Sequence, residues 1–79
     1  MRPRTVYLVA ATLLHAEKPM SARQIAAQID RPRRSVLNVL LRLRRAGYVE
    51  IAEFVKPVGS RRVALFQWVM EGKRDGHAH

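Results

Sequence analysis

The sequence predicts an α+β fold, mainly α, in which three helices are followed by a two-stranded β-hairpin. Three observations predict it. Apolar residues recur at helical spacing in three stretches before Gly47, and strand-like alternation takes over from Tyr48. The breaks at Lys18-Pro19, Asp30-Arg31-Pro32 and Lys56-Pro57-Val58-Gly59-Ser60 fall between the stretches, not within them. At 79 residues there is room for one domain, which the pattern places over 1–70. The segment 71–79 has no periodicity and is expected to be a flexible polar tail.

The first helix is expected from Pro3, whose missing N–H suits an initial helical position, to Ala16 or Glu17. Val6, Val9, Ala10, Leu13 and Leu14 form its expected buried stripe. Ser21 opens the second helix with Gln24 three residues on, the spacing of a reciprocal capping box. Its inner face is Ala22, Ile25, Ala26 and Ile29. Pro32 separates it from a third helix over about 33–46, with Val36, Val39, Leu40 and Leu43 inward and Gly47 as left-handed terminator. Tyr48 to Glu53 reads as a strand, 56–60 as a turn, and Val63 to Val69 as its partner. Such a hairpin is marginal alone and must pack on the helices.

Composition narrows the function. The apolar fraction of 48% is too high for a disordered chain. A net charge of +9 on so short a chain points to a polyanionic partner. Without cysteine there is no disulfide framework and no thiolate metal site. The apolar run Val6 to Leu14 is too short to span a bilayer, so no membrane association and a cytoplasmic location are expected. His15, His77 and His79 lack a carboxylate or cysteine to complete a ligand set, so no metal or other cofactor is expected. Glu50 and Glu53 differ in strand parity and face opposite sides unless the strand bulges. With no histidine near a nucleophile, the chain reads as a non-enzyme.

Arg31, Arg33, Arg34, Arg42, Arg44 and Arg45 lie in or beside the third helix, and no acidic residue interrupts them. Two helices joined by a short turn can place the second in the DNA major groove. At ~1.5 Å per residue the third helix is roughly 20 Å long, which suits that placement.

Ser21-Ala22-Arg23-Gln24-Ile25-Ala26, Ser35-Val36, Leu40 with Leu43, and Ala46-Gly47-Tyr48-Val49-Glu50 together carry a resemblance. Over residues 3 to 69 the chain resembles the winged helix-turn-helix domains of bacterial transcription regulators, of the ArsR-, MarR- and IclR-like kind. The resemblance implies a DNA-binding regulator whose third helix reads bases and whose hairpin is a wing. One departure stands out: Asp30-Arg31-Pro32 replaces the usual Ser or Thr cap of the recognition helix.

On such a helix the first turn and the outward residue one turn later reach base edges. Those positions are Arg33, Arg34, Leu37 and Asn38, with Ser35 on the margin. Arginine presents two donors to guanine and asparagine pairs with adenine; Leu37 meets a thymine methyl or packs on the second helix. Backbone candidates are Ser21, Arg23, Arg31, Arg42 and Arg45, and in the wing Lys56, Arg61 and Arg62. Several have a plainer reading. Ser21 is a cap, Arg42, Arg44 and Arg45 answer the helix dipole, and Arg61 and Arg62 blunt a strand edge. Phe54, Phe66, Trp68 and Tyr48 are expected in the core rather than stacked on bases.

The expected function is sequence-specific binding of double-stranded DNA by a small transcriptional regulator, most simply a repressor. A homodimer is expected because one copy reads only a few base pairs. Either the first helix or the outer face of Val63 to Val69 is its contact, and no small-molecule ligand is evident. The rivals are a protein-interaction module on the same scaffold, a structured-RNA binder, and a replication or recombination accessory factor.

Overall fold

The computed structural model describes residues 4–57, 59 and 61–69. Pro3, Val58, Ser60 and the polar tail with His77 and His79 lie outside the described residues.

Helix α1 spans Thr5–His15 and directs Val9 and Leu13 into the core. The expected stripe is too wide. Leu14 is 57% exposed and Val6 is also exposed. The neighbours α2, α3 and β3 all lie on one side of α1, so only the centre of the stripe is covered.

Next comes β1, Met20–Ser21, a strand the sequence does not announce. It pairs antiparallel with β3 (Val63–Trp68), Met20 opposite Phe66 and Ser21 opposite Leu65. The expected two-stranded hairpin is therefore the larger part of a three-stranded antiparallel sheet in the order β1-β3-β2, with β2 at Val49–Val55. Two residues are too few to show alternation. Moreover, Ser21 holds one extended conformation (φ −78°, ψ 161°) that serves both as strand end and helix cap.

The cap opens α2, Ala22–Ile29, as its spacing predicts. The Gln24 backbone N–H donates to Ser21 Oγ at 3.1 Å, and the Ser21 N–H donates to Gln24 Oε1 at 2.9 Å. Asp30 ends α2 in the left-handed region, φ 56°, a conformation Asp tolerates better than most residues. The Arg31 N–H then reaches back to the Ala26 carbonyl at 3.1 Å.

Helix α3 runs Arg33–Ala46, the expected span. Gly47 has φ 91°; its N–H donates to the Arg44 carbonyl at 3.0 Å and the Tyr48 N–H to the Leu43 carbonyl at 2.9 Å. This pair of bonds is a Schellman motif, which turns the chain from helix into β2.

Val9, Leu13, Ile25, Ala26, Val36, Leu40, Val49 and Phe66 make the core where the three helices meet the sheet. Trp68 is partly buried against it, and Tyr48 stacks on Trp68 with ring centroids 5.8 Å apart. Phe54 departs from expectation: it is 53% exposed.

Strand β2 carries a bulge. Ile51 pairs with Phe66 but Glu53 pairs with Leu65, leaving Ala52 as the extra residue. Glu50 lies opposite Gln67, so both glutamates share the outer face of the sheet instead of facing opposite sides. Gln67 Nε2 donates to Glu50 Oε1 at 2.6 Å.

Candidate nucleic-acid interface

The turn between α2 and α3 sets the site. A left-handed Asp30, then Pro32 at φ −58° as the cap residue, swings α3 across the end of α2. Among the described residues no side chain caps the start of α3. Pro32 holds the cap position with φ −58° and an extended ψ of 140°, and its ring has no oxygen to accept from the first N–H groups of α3.

With Val36 and Leu40 inward, the opposite side of α3 carries Arg34, Asn38, Leu41 and Arg45 at i, i+4, i+7 and i+11, all exposed. Arg42 stands exposed beside that ridge. Leu41 belongs to it although the sequence reading did not single it out. Its signal was there: one turn beyond Leu37 and two beyond Arg34, it lies outside the Val36/Leu40 stripe. Arg33 and Leu37 lie on the flank toward the hairpin, and Ser35 is half-buried on the other. Arg44 turns to β2, where it lines a cavity with Val49 and Glu50.

Between α2, α3 and the hairpin lies a groove of about 480 Å³. Arg23, Arg33 and Arg62 border it, and Leu37, Val55 and Pro57 are among its apolar walls. Two consecutive helices and the distant hairpin thus bring guanidinium groups to one trough. Arg61 and Lys56 are exposed at the hairpin end. The Arg62 guanidinium lies over the Phe54 ring, 4.9 Å from its centroid.

Two candidates have other engagements. Ser21 is 6% exposed with its Oγ accepting the Gln24 N–H, which commits it to the cap. Arg31 is half-buried and its Nη1 donates to the Asp30 carbonyl of its own turn at 3.3 Å. The remaining backbone candidates, Arg23, Arg42, Arg45, Lys56, Arg61 and Arg62, are all exposed. Among the described residues there is no group of three or more histidine, aspartate or glutamate side chains able to hold a metal, and no helix long and apolar enough to cross a membrane.

Comparison with known proteins agrees with the fold. The family described as "Sugar-specific transcriptional regulator TrmB" matches residues 5–60, well over half the chain. Among solved structures the chain is similar to the PcaV transcriptional regulator from Streptomyces coelicolor, determined in complex with its natural ligand. That similarity has a TM-score of 0.65 and 27% identity, over 92% of this chain and 49% of PcaV. The chain therefore spans about half the length of that regulator. No curated protein matches it significantly.

Proposed function

The chain belongs to the TrmB family of transcriptional regulators, whose members bind DNA, and from that premise we propose that it is a sequence-specific repressor acting by occupancy. In this reading α3 lies in the major groove. Arg34 and Asn38 meet base edges, Leu41 and Leu37 meet thymine methyls, and Ser35 and Arg33 border the contact. Arg42, Arg45 and Arg23 neutralise phosphates, while Lys56, Arg61 and Arg62 of the hairpin hold the adjoining backbone. The observation that carries the proposal is the exposed ridge of α3, donor-rich, free of acidic residues and set beside an arginine-bordered groove.

A second copy completes the proposal, because one α3 spans only a few base pairs. The contact is assigned to α1; β3 is the central strand, so the sheet offers no β3 edge for pairing with a second copy. Residues Thr5–His15 include no Asp, Glu, Lys or Arg, although the chain carries +9 overall. Val6, Tyr7 and Leu14 are exposed there, Tyr7 by 71%. Two strongly basic chains approach each other most easily along their uncharged side. Residues 1–70 form the binding unit in this proposal, and the 71–79 tail is dispensable.

Selection of bound fragments from a random duplex pool tests the function. The expected product is a short motif repeated as inverted half-sites, bound more tightly than the same sequence as duplex RNA. Unshifted labelled duplexes at micromolar protein in dilute buffer would overturn the proposal. Preference for RNA would replace it with the structured-RNA reading.

A further inference from the structure

We infer that Phe54 is a positioning residue for DNA binding, holding the Arg62 guanidinium over the groove where it meets a backbone phosphate. The inference rests on the DNA-binding reading and adds to it the device that aims the wing. Strand β2 sends Val49 and Ile51 to the helix-facing side, and strict alternation would send Glu53 there next. The bulge at Ala52 shifts the parity by one residue. Glu53 pairs with Leu65 on the outer face, and Phe54, opposite Ala64, takes the helix-facing side in its place.

Arg62 precedes Ala64 by two residues, so it shares that side and stands diagonal to Phe54. The result is the observed contact, with the guanidinium carbon over the ring 4.9 Å from its centroid. One irregularity in the strand thus removes a carboxylate from the neighbourhood of Arg62 and supplies a π-face instead.

Core packing does not explain Phe54, which is half exposed and lies beyond the residues of the central cluster. A solvent-exposed phenylalanine in a basic hairpin is explained if its face restrains a long, flexible cation. The cation so held is the one that shares the groove with Arg23 and Arg33. A cation–π contact uses the charge of the guanidinium and needs none of its N–H donors, and those donors are what binds a phosphate.

The test is a double-mutant cycle on the full chain, using a duplex that the wild type binds. Phe54→Leu is expected to weaken binding about two- to fivefold, the range of an exposed cation–π contact. It should also flatten the salt slope by up to about one, because Arg62 ceases to be a fixed phosphate contact. Phe54→Trp should bind as the wild type does. In an Arg62→Ala background, Phe54→Leu should cost nothing further. In the free protein, the Arg62 side-chain protons should be shifted upfield by the ring and return to ordinary values in Phe54→Leu. Equal affinity of Phe54→Leu and wild type overturns the inference while leaving the DNA-binding reading intact, and so does an equal loss in both backgrounds. A wild type that binds no duplex overturns both.

Discussion

Arg34 and Asn38 stand one turn apart on the exposed side of α3, and α3 is long enough to present both to one groove. Their expected signature differs from that of Arg42 or Arg45. Arg34→Ala should cost about 1–3 kcal/mol on the best duplex and relax the preference at one base pair. Arg42→Ala should weaken all duplexes alike and reduce the salt slope by about one. Titrations of cognate and scrambled duplexes at several salt concentrations separate the two; a sequence-dependent loss for Arg42→Ala would reverse the assignment. These residues were legible in the sequence because helical spacing alone tells which side of α3 is wet. Ser21 was legible as a cap for the same local reason. The engagement of Arg31 with its own turn was not, since it depends on the left-handed Asp30, and nothing short of the folded turn reveals that conformation.

The ends of the elements set the angle at which the arginines are offered. Gly47 turns α3 into β2 with φ 91° and has no atoms near the place a Cβ would occupy. Backbone strain alone therefore decides the cost of a substitution. Gly47→Ala should destabilise the fold by about 1–2 kcal/mol, and Gly47→Asn by less, as denaturant melts would show. An unchanged midpoint for Gly47→Ala would mean that the left-handed turn is not needed. At the start of α2, Ser21→Ala should cost about 1 kcal/mol through the lost cap. Strands proved harder to read than caps. Counting in twos sets Glu50 and Glu53 on opposite sides, and a single inserted residue, Ala52, unites them. Counting cannot detect a bulge, because the extra residue is identified only by what β3 pairs with.

For the molecule as a whole, α1 is the one helix among the described residues without Asp, Glu, Lys or Arg, in a chain of net charge +9. If its outer side joins two copies, Leu14→Glu or Tyr7→Glu should shift the protein to a monomer by light scattering. DNA affinity should fall with it, while the circular dichroism spectrum stays unchanged because both side chains are exposed. A strict monomer in the wild type, with and without DNA, would refute this assembly. Binding that neutralises six to eight phosphates should fall with salt at a logarithmic slope of roughly −5 to −7. A slope near zero would remove the polyanion from the account altogether.

Helix number, the limits of α3, the two caps and the basic identity of α3 follow from neighbours a few residues apart, and local rules governed by i, i+3 and i+4 spacing suffice to read them; α1 is shorter than its pattern, opening at Thr5 after an extended Arg4 and not at Pro3. The third strand, the bulge, the exposure of Phe54 and of the outer side of α1, and the meeting of Arg23, Arg33 and Arg62 in one groove follow from contacts between residues far apart in the chain. Local patterning states which residues seek burial. The shape of the packed whole sets how much burial there is to share, and which cations are left facing the same trough.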